Sequence, residues 1–177
     1  MATIDLIVLG MVKQKPLSAY DIQKLVEYRN ISRWVKISTP SIYKKVIQLE
    51  EKGYLSGAAV KEGRMAEKTV YSLTDAGEEQ FERLMLEIAA KPIYLFLDFN
   101  AVIVNLDSLA PDKQRTCVAE IERNVKNLKA YIEENTARKE NAPEIPAAGK
   151  AVLRQQLILA EAIEKWIESV KDNLESR

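Results

Sequence analysis

The chain has 177 residues, 47% of them hydrophobic, and its 26 lysines and arginines balance its 26 aspartates and glutamates. That composition supplies one or two packed domains and excludes a disordered chain. One cysteine and no histidine exclude a disulfide framework and the usual Cys/His zinc sites within one chain. No apolar run approaches the ~20 residues of a membrane helix, and the N-terminus shows no secretory pattern, so a cytoplasmic protein without a membrane partner is expected. The zero net charge hides a split. Residues 1–75 hold 12 basic and 8 acidic side chains, and the remainder hold 14 and 18. Contact with a polyanion is therefore expected of the first part only.

Ile4, Ile7, Val8 and Met11 share one face, which predicts an amphipathic helix over Thr3–Lys13 that ends at Lys15-Pro16. Ser18 caps a second helix, with Asp21 three residues on in a box-like arrangement. Tyr20, Ile22, Leu25 and Val26 are its apolar positions, and it fades near Arg29-Asn30. A short helical turn over Ile31–Val35 leads to the stretch STPSIYKKVIQLEEKG. There Ser38 or Thr39 is expected to cap a third helix, Pro40 to open it and Gly53 to end it. Ile42, Val46 and Leu49 fall in its core arc, and Lys45 lies near the edge of that arc. Ser41, Lys44 and Gln48 face the other way, flanked by Tyr43 and Ile47. Hydroxyls, an amide and an ammonium without an early carboxylate suit a helix laid against phosphates and base edges. Helix, connector, helix over Ser18–Lys52 is the order of a helix-turn-helix.

Tyr54–Val60 and Lys68–Thr74 read as two strands of a hairpin around the tip KEGRMAE. A hairpin directly after the second helix of a helix-turn-helix is a wing. Its Lys61, Arg64 and Lys68 can reach a phosphate row or the minor groove, or form a solvated loop. A helix follows from Thr74 to Lys91-Pro92, with Phe81, Leu84, Met85 and Ile88 as its stripe. Ile93–Leu109 is apolar; its first part is compatible with a buried strand, but helical spacing favours a buried helix. Val118, Ile121, Val125, Leu128 and Ile132 mark a long helix from Asp112 to about Arg138, and Asn141–Gly149 is its turn. The last helix, from Lys150, has so wide an apolar face that it needs two partners. One is the preceding long helix and the other a second subunit, which points to Leu153, Leu157, Ala160, Ile163, Trp166, Ile167, Val170 and Leu174 as dimer residues.

The string LIVLGMV…PLSAYDIQKLVE…STPSIYKKVIQLEEKGYL…EGR…KTVYSLTDAGEEQF resembles the N-terminal domain of PadR-type transcriptional regulators over about residues 4–85. The region after it, with LDFNAVIVNLDSLAPDK, resembles the helical C-terminal part of that family's virulence-activator branch. The resemblance implies a mainly α protein with a small β-hairpin wing. Residues 1–90 would form a winged helix-turn-helix that binds double-stranded operator DNA, and residues 91–177 a helical dimerisation domain. It also implies a homodimer, usually a repressor. By position, Tyr20, Ser41, Tyr43 and Arg64 match the family's residues. Ser38, Thr39, Lys44, Lys45, Gln48, Lys61 and Lys68 complete the expected DNA-binding set. Two positions depart from the family pattern: Ile47 where a basic residue is common, and Met65-Ala66 where a proline is common.

Tyr94, Phe96, Phe99, Tyr131 and Trp166 read as core. A small aromatic effector near the dimer axis is the alternative that the resemblance adds, with Tyr94, Phe96, Phe99 and Trp166 as its site. Cys117 has no histidine to activate it and reads as packing. No enzymatic constellation, metal site or cofactor motif emerges; adjacent acids such as Glu133-Glu134 diverge on a helix. A winged helix that docks proteins without binding DNA is the remaining alternative. It predicts that Lys44, Lys45 and Arg64 tolerate loss of charge.

Overall fold

The computed structural model describes residues 2–61, 67–143 and 145–176. Two compact units divide the chain, Met1–Ile93 and Tyr94–Arg177. The described structure is mainly helical, with one small three-stranded sheet.

The first unit holds helices α1 (Ala2–Gln14), α2 (Ala19–Tyr28), α3 (Ser41–Glu51) and α4 (Asp75–Ala89), and strands β1 (Leu17–Ser18), β2 (Leu55–Val60) and β3 (Lys68–Leu73). Ser18 caps α2 as its sequence suggests: its Oγ accepts from the Asp21 N–H at 3.2 Å, and its own N–H and hydroxyl donate to the Asp21 carboxylate. A 3₁₀ turn at Ile31–Arg33 follows, entered through Asn30 in the left-handed region at φ 54°. Gly53, at φ 75°, closes α3. Its N–H reaches the Glu50 carbonyl and the Tyr54 N–H the Leu49 carbonyl, the paired bonds of a left-handed helix stop.

The hairpin β2–β3 pairs Leu55 with Leu73 and Val60 with Lys68. Beyond the expected hairpin there is a third strand. Leu17 and Ser18 pair with Tyr71 and Val70, giving the order β1-β3-β2. The hairpin is thereby anchored to the start of α2. Gly57 sits where a Cβ would lie 2.5 Å from Glu50 Oε1 and 2.8 Å from Thr69. Its N–H donates to that same Glu50 oxygen at 3.1 Å, so the close approach of α3 to β2 requires glycine. The core is built by α1 (Val8, Leu9), α2 (Ile22, Val26) and α3 (Ile42, Val46, Leu49), all essentially without solvent exposure. In α4 only Leu84 of the expected stripe is fully buried. Phe81 packs half-buried beside the core and Met85 is exposed.

The second unit is an antiparallel pair of long helices, α6 (Pro111–Glu140) and α7 (Ala147–Glu175). Val118, Ile121 and Val125 pack on Ile167, with Leu106 at the same cluster and Cys117 half-buried beside it. Ion pairs Lys129–Glu164 at 2.7 Å and Lys171–Glu122 at 3.1 Å bridge the two helices. The buried helix expected over Ile93–Leu109 is not there. Residues 93–98 are irregular, followed by the four-residue α5 (Asn100–Ile103) and a 3₁₀ turn at Leu106–Ser108. Ile93 is 90% exposed and Phe96 85%. Helical spacing marks an apolar face, but a helix is held only where that face meets a surface to pack against, and Ile93 to Phe96 are left exposed.

Candidate nucleic-acid interface

The site is built on α3. Burying Ile42, Val46 and Leu49 fixes the rotation of the helix and leaves Tyr43, Lys44 and Ile47 exposed, with Ser41 and Gln48 half-buried at the edge. No carboxylate stands on the outward face before Glu50, and Glu50 is turned to the Gly57 N–H. Entry to α3 differs from expectation. Neither Ser38 nor Thr39 caps it with a side chain, and Pro40 holds the cap position itself, at φ −61° and ψ −20°. The backbone turns one residue earlier, with Ser38 O accepting from Ser41 N at 3.0 Å and from the Ser41 hydroxyl. A chain already in the right-handed region at Pro40 needs no side-chain cap, and the Ser38 and Thr39 hydroxyls are left to other partners. The Thr39 hydroxyl lies 3.4 Å from that of Ser32.

Lys45 does not join the cationic face. It is buried, and its Nζ lies 2.8 Å from Asp5 Oδ1 on α1. The contact is ionic and off the hydrogen-bond direction, so Asp5 Oδ1 has no directed hydrogen-bond partner among the described residues. Lys45 on the helix wheel is at the edge of the core arc, and Asp5 is what draws it inward. Ser41, Lys44 and Gln48 line a cleft of about 420 Å3 together with Thr3, Lys36 and Ser38, and the buried Lys45 forms part of its wall. Thr3 and Lys36 line this candidate site and were not among the residues read from the sequence. Only their packing beside α3 reveals them.

On α2, Tyr20 is 57% exposed, and the Lys24 ammonium lies 5.5 Å from its ring centre. The Glu27 carboxylate hydrogen-bonds Lys24 and raises its pKa, and Gln23 and Lys24 hold Glu27 low. Lys61 and Lys68 flank the hairpin tip and are exposed. The hydrogen bond from the Ser18 side chain depresses the pKa of Asp21, and Lys68 and Lys15 add smaller electrostatic contributions. Arg64 lies outside the described residues.

In the second unit, Ile167, Leu153 and Ala160 are buried, and Ile163, Val170 and Leu174 pack on the α6–α7 core. These expected dimer residues are mostly spent within one chain. The apolar side chains that α7 leaves outside are Ile158 at 60%, Leu159 and Trp166, and the sequence pattern could not separate them from the inner ones. Trp166 stacks on Phe99 at 5.6 Å between ring centres, and Tyr94 on Phe96 at 6.0 Å. Leu95, Leu97, Phe99, Leu159, Ile163 and Trp166 line a cleft of about 330 Å3 without a charged wall. Among the described residues there is no cluster of metal-binding side chains, and no helix is long and apolar enough to cross a membrane.

Helix-turn-helix and hairpin, with a bare polar face on the second helix of the motif, define a winged helix-turn-helix domain. Residues 8–83 match the model of the "Transcriptional regulator PadR-like family". The match takes in the winged helix-turn-helix domain and stops short of the second unit. The fold is shared over nearly the whole length with solved structures of low identity. Bacillus subtilis PadR in complex with operator DNA is 19% identical, with 97% of this chain and 99% of that one covered and a TM-score of 0.83. The same Bacillus protein in complex with p-coumaric acid is 17% identical, with 97% and 95% covered and a TM-score of 0.81. The Vibrio cholerae virulence activator AphA is 19% identical, with 98% of both chains covered and a TM-score of 0.69. No curated protein matches the chain.

Proposed function

We propose that the chain is a dimeric, sequence-specific DNA-binding repressor that acts in the cytoplasm at a near-palindromic operator and is released by a small flat aromatic effector. Residues 1–90 read the duplex and residues 91–177 join two copies. One observation carries the reading: the outward face of α3 offers Lys44, Ser41, Tyr43 and Gln48 with no carboxylate before Glu50, and Glu50 is engaged by Gly57. Lys44, Lys61 and Lys68 hold phosphates, joined by Arg64 at the wing and by Lys36 and Thr3 beside the cleft. Ser38, Thr39 and Tyr20 add hydroxyls at its edges. Gln48 and Ser41 are the base-reading groups, since an amide pairs with adenine and a hydroxyl is permissive. Lys45 is assigned to the fold instead.

One winged helix makes few base contacts, and two held in a fixed dimer read half-sites about one helical turn apart. A second copy would cover the apolar groups that α7 and residues 93–96 expose. The uncharged walls around Phe99 and Trp166, with Tyr94 and Phe96 a few residues before Phe99 in sequence, suit a flat apolar ligand better than a polar one. The p-coumaric acid complex of the Bacillus relative lends support to an aromatic ligand. Repression is the sense that the family resemblance implies.

The test is a footprint of the full chain on the DNA upstream of its own coding sequence, with the stoichiometry read by sedimentation. Two copies on one symmetric protected site are expected. A single copy on the site, or no protection on any upstream fragment in dilute buffer, would overturn the proposal.

A further inference from the structure

α3 carries one side chain that neither the fold nor phosphate binding explains. Ile47 is 50% exposed, outside the core cluster, on the outward face of the helix. Tyr43, one turn earlier, is 44% exposed. Side chains four apart on a helix stand one above the other, so the two form an apolar ridge. Lys44 borders the ridge, beside Tyr43 on α3. Glu51 stands one turn beyond Ile47 at the far end of the ridge, and Glu27 on α2 is bonded to Lys24 and Gln23. The major groove of a duplex presents an apolar group inside a wall of phosphates, the C5-methyl of thymine.

Resting on the DNA-binding reading above, we infer that Ile47 is a specificity residue: with Tyr43 beside it, it packs on a thymine methyl in each half-site. Lysine or arginine at that position would seek phosphate or guanine, so the isoleucine turns the centre of α3 from charge to methyl recognition. The contact is worth what burial of one methyl group is worth, and no hydrogen bond is made or lost.

The experiment uses the full chain and a random duplex pool. Duplexes enriched by binding are sequenced, and each thymine of the enriched half-site is then replaced singly by deoxyuridine, which lacks only the methyl. At one thymine in each half-site the replacement is expected to weaken the wild-type protein about 3- to 5-fold, the size of one buried methyl. Ile47→Ala should bind the thymine and uracil duplexes equally, with its circular dichroism unchanged because Ile47 is outside the core. Equal binding of every uracil duplex by the wild-type chain overturns the inference without needing a variant. So does an enriched half-site with no thymine, or discrimination that survives in Ile47→Ala. Failure to enrich any duplex at low salt is a separate result that removes the DNA-binding reading itself.

Discussion

The burial of Lys45 against Asp5 gives the sharpest prediction, because it separates two lysines that adjoin in sequence. The two side chains are 9% and 15% exposed and 2.8 Å apart, and they tie α3 to α1. Removing one partner leaves a charge in a nearly closed site. Buried pairs broken in this way cost about 3–5 kcal/mol, and the residual exposure of Asp5 puts the expected loss near the lower end, about 3 kcal/mol for Lys45→Met. Asp5→Asn should cost a similar amount. The double variant should recover most of the loss, because no unpaired charge remains. Urea unfolding followed by circular dichroism, at one fixed protein concentration, measures all three. Salt titrations of DNA binding supply the functional half. Lys45→Met should leave the salt slope unchanged, whereas Lys44→Ala should reduce it by about 1 per copy. A Lys45→Met chain that loses under about 0.5 kcal/mol, in the range of surface substitutions, would refute the reasoning. So would one whose salt slope falls as that of Lys44→Ala does.

Gln48→Ala should change which duplexes are preferred, and Lys44→Ala should weaken all of them alike; binding to a pool of single-base operator variants checks both. Gly77→Ala should destabilise the first unit by about 2 kcal/mol or more, an overpacking cost. Its Cβ would fall 2.1 Å from the Tyr54 carbonyl oxygen and 2.9 Å from Leu73, and thermal unfolding reads the loss. The Asp21 carboxylate is held below its ordinary pKa by the Ser18 hydroxyl. Its contribution is therefore complete above the unfolded value of about 3.9 and is lost as pH falls through the lower folded value. Asp21→Asn should cost about 1 kcal/mol near neutrality, and the difference from wild type should shrink below pH 4 in a series of urea melts.

Local chemistry made much of the first unit legible. Ser18 with Asp21, the arc of Ile42, Val46 and Leu49, and the two β-rich runs around a polar tip each carry their structure within a few residues. What stayed hidden depends on distant chain. Leu17 and Ser18 are too short a run to read as a strand, and only pairing with Val70 and Tyr71 makes them one. Lys45 sits on the border of the helix wheel, and its burial depends on Asp5 in another helix. Ile93 to Phe96 are apolar at helical spacing, but spacing does not say whether a surface exists to receive them. On α7 the wide apolar face was legible, while its division into Ile167 inside and Ile158 outside was set by α6.

The most direct measurement is a fluorescence anisotropy titration of the full chain against a labelled duplex from upstream of its own coding sequence, in low salt, alongside Lys44→Glu. The account predicts saturable, salt-sensitive binding by the wild-type chain, and an affinity at least about tenfold lower once the outward lysine of α3 is reversed. Binding that is absent from every such duplex, or that is the same in both proteins, would contradict it.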